Sequence, residues 1–300
     1  VKPPALRPRV SRTLVACLLL IWLAGCSSTQ FFYNRLDFFV PWYLGDYVSL
    51  DRSQDALLED ELQPFLAWHR RDELPRYIEL LERAERSLDQ PVTRDQLMAL
   101  TLDAEQALDR LQHRALDWML VLGDALREEQ LQEFMLALRE QQAEYEEKYL
   151  ERDDAHYRDD ACERLQDNIR RYLGRLQTEQ KTRLAVACAN LRRSDSVWLA
   201  ERAAWLDRLD MLLQREPDWQ ASLRQAVAQR RQSVSIEYRT IWDANTEVIQ
   251  LAVIDLVNTR TERQDAHLRR ELGKLREDLI ALVEQGPADG SQVATSADEA

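Results

Sequence analysis

Residues 51–68 read DRSQDALLEDELQPFLAW, and the apolar side chains Leu57, Leu58, Leu62, Phe65, Leu66 and Trp68 return at spacings of three and four. That is the stripe of an amphipathic helix, because 3.6 residues per turn brings such positions onto one face. Asp51 stands where an N-cap belongs. Its carboxylate can accept from the amide three residues on while Gln54 reaches back to the Asp51 amide, which is a capping box. Pro64 and Pro75 each remove a backbone donor and crowd the preceding turn, so a kink or break is expected near residues 71–75.

The same helix start recurs outward from this stretch. Leu50-Asp51-Arg52-Ser53-Gln54, Val92-Thr93-Arg94-Asp95-Gln96, Leu126-Arg127-Glu128-Glu129-Gln130 and Leu176-Gln177-Thr178-Glu179-Gln180 each set a Gln three residues after the cap, and Thr261-Glu262-Arg263-Gln264 is a partial fifth copy. Arg127 and Gln177 are poor caps. Beyond 51–89, helical stretches are expected over 96–123, 128–176, 179–215, 219–230 and 233–283, with breaks at Pro91, Gly123, Gly174, Pro217 and 260–261. No segment shows sustained period-two alternation with Gly or Asn-Gly turns. The expected fold class is all-α, an elongated bundle or array of long amphipathic helices.

Composition agrees: 45% hydrophobic and 31% charged residues with only 7 Gly and 9 Pro favour helices. The formal charge is -13, and residues 1–25 hold Lys2, Arg7, Arg9 and Arg12 with no acid, so losing them would leave -17. A surface that acidic repels phosphate backbones, and only short pairs such as Arg192-Arg193 and Arg230-Arg231 interrupt it, so no nucleic-acid partner is expected.

Residues 2–12 are basic, 13–23 mostly apolar, and Leu23-Ala24-Gly25-Cys26 closes the segment, the layout of a secretory signal. The apolar run is too short to span a hydrocarbon core, which needs roughly 20 residues. Leu-Ala-Gly-Cys resembles the lipobox of bacterial lipoproteins, which implies cleavage before Cys26 and acyl chains on its sulfur. Ser27 and Ser28, with no Asp after the Cys, imply sorting to the outer membrane, facing the periplasm. Eight of the 23 aromatic residues then fall between Phe31 and Tyr47. They read either as a membrane-interface belt beside the lipid or as side chains packed into the helical body.

If Cys26 carries lipid and the leader is removed, Cys162 and Cys188 remain. In an antiparallel hairpin turning near residues 174–178 they can face each other. A disulfide is expected there, contributing on the order of 3 kcal/mol. The histidines His69, His113, His156 and His267 form no paired ligand motif. His156 and Asp160 share a helical face in the run 153–160, which reads as a solvated acidic face or as two ligands of a weak metal site, and no metal site is assigned. His69, with the charges of Trp68-His69-Arg70-Arg71-Asp72-Glu73, reads as a hydrogen-bonded junction at the Pro75 kink. There is no Gly-x-Ser-x-Gly, no Gly-rich phosphate loop and no Cys-x-x-Cys, so neither enzymatic activity nor a cofactor is expected.

The repeated motif is similar to the Leu-Thr-x-x-Gln signature of the Spy/CpxP periplasmic stress-protein superfamily. Phe31-Phe32-Tyr33-Asn34, Trp68-His69-Arg70-Arg71 and Glu73-Leu74-Pro75-Arg76-Tyr77 resemble, together with those motifs, a family of uncharacterised proteobacterial lipoproteins. The expected division is a signal peptide over 1–25, an aromatic-rich membrane-proximal segment over 26–50, a helical domain over 51–285 and, because residues 286–300 are small, polar and acidic, a disordered tail there. The resemblances imply a membrane-tethered protein that binds client or partner proteins in envelope homeostasis, with a fixed assembly scaffold or a weak metal sensor as alternatives.

Overall fold

The computed structural model describes residues 28–286. Cys26, its neighbours Leu23, Ala24 and Gly25, and the tail beyond Gly286 lie outside the described residues. Within them the chain is all-α, with no strand. The elements are α1 (Ser28–Tyr33), α2 (Leu36–Leu44), α3 (Arg52–Trp68), a π-helical turn (His69–Glu73), α4 (Leu74–Ser87), α5 (Arg94–Ala125), α6 (Glu128–Leu150) and α7 (Asp154–Leu173). They continue with α8 (Thr178–Ala189), α9 (Asp195–Leu212), α10 (Trp219–Ala228), α11 (Arg230–Ser233), α12 (Ile236–Asn258) and α13 (Glu262–Glu284). No helix among them is long and apolar enough to cross a membrane.

The 32 residues of α5 are the spine, about 48 Å long at 1.5 Å per residue. Helices α3 and α4 run antiparallel to it: Leu58 and Leu62 cluster with Leu122, Glu73 meets Arg110, and Arg83 meets Asp103. In the same way α9 lies antiparallel to α6 through Arg139 with Asp207 and Arg152 with Asp195. Helix α13 lies antiparallel to α4, where Leu74 packs on Leu279 and Leu282 and Arg276 reaches Glu85. The core is divided into small leucine-rich clusters along the bundle. One surrounds Leu126, Leu131 and Leu206. Another, near the opposite end of α5, surrounds Leu88, Val92, Leu184, Leu256 and Leu268. The two ends of the described chain meet. Gln30 donates to Asp278 (2.9 Å), Asn34 donates to Gln285 (2.9 Å), and Arg70 donates to the Gly286 carbonyl.

Several expected boundaries are corrected. Gly123 does not break a helix; it lies inside α5, and a Cβ there would come within 3.0 Å of the Trp219 ring. The packing of an indole, not a turn, selects glycine. The expected helix 128–176 is two helices, because Arg152 turns inward to bond Asp195 (2.9 and 2.7 Å) and Asp160 (2.6 Å) while Asp153 caps α7. The expected helix 179–215 breaks at 190–194, where Asn245 holds the Arg192 amide and carbonyl (both 2.8 Å). The expected stretch 219–230 ends α10 at Ala228, whereas the break expected at 260–261 is found, α12 ending at Asn258 and α13 beginning at Glu262. Near Pro75 the chain makes the π-helical turn and continues without a gap, with Pro75 near the start of α4 where its missing N–H is tolerated.

The α7–α8 hairpin turns at Gly174, whose φ of +70° suits a residue without a Cβ. Cys162 and Cys188 are joined across it by a disulfide with Cα atoms 5.3 Å apart. The aromatic segment divides. Tyr33 packs on the Leu74 cluster and Tyr47 against Phe134, whereas Phe31, Phe32, Phe38, Trp42 and Tyr43 are 53–62% exposed. For those five, packing into the body does not hold.

Candidate functional site

The recurring glutamines have a common geometry. At every copy the side-chain Oε1 accepts from the backbone amide of its cap residue: Gln54 from Asp51 (3.0 Å), Gln96 from Thr93 (2.9 Å), Gln130 from Arg127 (2.9 Å), Gln180 from Gln177 (2.9 Å) and Gln264 from Thr261 (2.9 Å). The glutamine half of the box thus persists where the cap is Arg127 or Gln177. Four of the five then pair. Gln54 and Gln130 exchange amide hydrogen bonds (2.9 and 2.7 Å), and Gln180 and Gln264 do the same (3.2 and 2.9 Å). The second hydrogen of each amide goes to the carbonyl two residues before the partner's cap: Ala125, Ser49, Thr259 and Arg175. Each paired amide therefore uses both donor hydrogens and both acceptor lone pairs, which is what lets it sit only 2–4% exposed. Gln96 has no such partner glutamine and is exposed.

The π-helical turn collects the other quoted motifs. Tyr33 Oη lies 2.9 Å from His69 Nδ1 and Tyr77 Oη 3.4 Å from Nε2. Arg70 donates to Asn34 (2.7 Å) and stacks over the Tyr33 ring. Glu73, 1% exposed, accepts from both Arg110 nitrogens (2.8 and 2.9 Å) and from Arg76 (3.1 Å). Burial pushes the Tyr33 phenol up to about 12, with Arg70 opposing, so it stays protonated. The cavity beside this junction has a volume of only about 30 Å³, room for a water and no substrate. The junction is a clamp that fastens α1 to α3, α4 and α13.

Burial also holds the His69 imidazole below its ordinary 6.5, with Glu73 pulling the other way. As pH falls through about 6.5 the unfolded chain takes up a proton that the folded chain resists, so His69 weakens folding on the acid side. The stability gap between the wild type and His69→Gln is expected to narrow from about pH 7.5 to about pH 5.5 in thermal melts. A constant gap would show that His69 titrates alike in both states.

A larger opening lies between α9, α11 and α12, with Glu105 of α5 on its wall, and encloses about 740 Å³. Helical spacing builds it: Trp198, Arg202 and Trp205 share a face of α9, and Tyr238 and Trp242 are one turn apart on α12 with rings stacked at 6.0 Å. Its arginines are engaged to different degrees. Arg231 pairs with Glu105 (3.0 Å) and Asp109 (3.5 Å), and Arg239 donates to backbone carbonyls. Arg202 lies over Tyr145, and its Nε is buried without a partner. Arg230 stacks over Trp205 at 4.8 Å, and burial lowers its pKa. A desolvated guanidinium against an indole, with open aromatic faces beside it, suits apolar or planar groups that carry a hydrogen-bond acceptor. The sequence reading missed this cleft. The available signal was charge: residues 192–239 hold nine Arg against seven acids in a chain that is otherwise strongly acidic.

His156 is exposed with its ring 3.5 Å from Asp160, and no group of three metal-ligating side chains occurs among the described residues. The scaffold and cleft together define an all-helical, disulfide-braced bundle with an aromatic, arginine-lined cleft. Residues 46–239 match a family of unknown function, DUF6279, and the chain belongs to that family. No curated protein and no solved structure matches the chain.

Proposed function

We propose that the protein is a non-enzymatic lipoprotein, anchored in the outer membrane through Cys26 and facing the periplasm, that holds segments of client or partner proteins in envelope homeostasis in the manner of the Spy/CpxP superfamily. The observation that carries this reading is the α9–α11–α12 cleft. It offers three tryptophans, a tyrosine and the carboxylate-free Arg230, chemistry suited to weak, adaptable contacts with polypeptide. The repeated helix-start motif and the leader ending in Leu23-Ala24-Gly25-Cys26 support it from the sequence side.

The processed protein is expected to slow aggregation of a denatured client at about equimolar ratio. Trp205→Ala combined with Trp242→Ala should weaken that effect several-fold with little change in melting temperature. Failure to slow any of several clients sinks the holdase reading. One partner recovered in fixed stoichiometry after crosslinking in cells replaces it with an assembly scaffold.

A further inference from the structure

The five aromatic side chains that stand out from α1 and α2 form one surface, joined through the half-buried Phe39. Phe31 and Phe32 have ring centroids 5.6 Å apart, Phe32 and Phe39 5.5 Å, and Phe39 and Phe38 5.5 Å. Trp42 follows Phe38 by one helical turn, and Tyr43 follows Phe39 in the same way. The opposite side of these helices is fixed: Val40 and Leu44 pack on the Leu58–Leu62 cluster, and Tyr33 packs on the Leu74 cluster. The exposed rings are therefore held on a rigid base and lose little freedom on docking.

Three observations point to one occupant. Exposed Phe, Trp and Tyr grouped this closely are unusual on a free surface and match the composition of a bilayer interface. Residues 28–45 carry only Arg35 and Asp37, so this segment adds no net charge to a chain of net charge -13, and repulsion from anionic headgroups is weaker here than over the acidic body. Finally, the described chain begins at Ser28, two residues after Cys26. Even fully extended, that link spans roughly 7 Å at about 3.5 Å per residue, so a lipid on Cys26 brings α1 to the headgroup layer. Helices of six and nine residues cannot span the bilayer, but they can lie along its surface.

We infer that the Phe31–Tyr43 surface is a membrane-docking belt that seats the body of the protein directly on the phospholipid surface, so that the anchor orients the bundle as well as retaining it. The inference rests on the lipid-anchor reading for its geometry. Its contact chemistry is tested separately.

The test couples Cys26 of the processed chain to a maleimide phospholipid in vesicles of zwitterionic lipid, which is selective because Cys162 and Cys188 are already bonded. Acyl chains brominated near the headgroup should quench part of the tryptophan emission, and Trp42→Phe should abolish that part. The untethered Cys26→Ser protein should partition onto the same vesicles in a salt-insensitive way, and Phe38→Ala with Trp42→Ala should reduce partitioning at least about tenfold. Absence of bromine-dependent quenching in the tethered protein overturns the belt. Mass measurement of the N-terminal peptide from native membranes reports the anchor independently: a peptide without acyl mass overturns the lipid reading whatever the vesicles show.

Discussion

Gln130→Ala is expected to destabilise the protein by about 3 kcal/mol in urea denaturation, because it strips partners from the buried Gln54 amide and from two part-buried backbone groups at once. The Arg127 amide loses its acceptor, the Ser49 carbonyl its donor, and Gln54 both bonds of the reciprocal pair. Gln130→Glu is a sharper test: it keeps the shape and the cap acceptor but removes both donor hydrogens and sets a carboxylate against the Ser49 carbonyl and Gln54 Oε1. It should cost at least as much as alanine. In a double-mutant cycle, Gln54→Ala with Gln130→Ala should fall short of the sum of the single changes by about 1–2 kcal/mol, since the second change removes groups the first has already orphaned. Gln96→Ala is the internal control. It carries the same motif but is exposed, so about 1 kcal/mol or less, the value of a cap, is expected. Equal effects at Gln96 and Gln130 would show that pairing contributes nothing beyond capping.

Glu73→Ala is expected to lose about 3–4 kcal/mol, because it leaves the Arg110 guanidinium, itself only partly exposed, facing a cavity where its two acceptors had been. Glu73→Gln retains the volume and one acceptor and should lose less, about 2 kcal/mol. Replacing Glu73 and Arg110 together by leucine should recover much of the loss, since desolvation opposes a buried ion pair even when its geometry is good. The three urea midpoints separate charge from packing: if alanine and glutamine at position 73 cost the same, the carboxylate is not what holds the π-helical turn.

The helices were legible because the apolar spacing in segments such as 51–68 is set by the core they pack on, and the motif glutamines marked five helix starts. What the motif does was not legible. A capping box is a local pattern of four residues, whereas the partners of Gln54 and Gln180 lie 76 and 84 residues away. Breaks at 151–153 and 190–194 escaped for the same reason: they are imposed by Asp195 and Asn245 from other helices, with no glycine or proline to announce them. Gly123 misled in the opposite sense, being selected by an indole from α10. The junction at His69 was visible because its charges and aromatics are dense in sequence. The cleft was not, because its walls come from four separate helices.

The meeting of the two ends of the described chain sets an order of events during folding. The Gln54–Gln130 pair can close once the first 130 residues or so are available, and the Gln180–Gln264 pair once 264 are. Gln30 finds Asp278, and Arg70 finds Gly286, only when almost the whole described chain is present, across separations of 248 and 216 residues. Loop-closure entropy adds only about 1 kcal/mol between the shortest and longest of these separations. For a chain that emerges N-terminus first, the stronger constraint is time. Arg70 and His69 can take hold of Asn34 and Tyr33 early, but Gln30 and Arg70 reach Asp278 and Gly286 only when the last helix arrives, so the segment beside the proposed anchor is the final piece to lock fully. Until then α2 is already held through Val40 and Leu44 on the Leu58–Leu62 cluster, so the aromatic surface faces outward before the last helix has closed over α1.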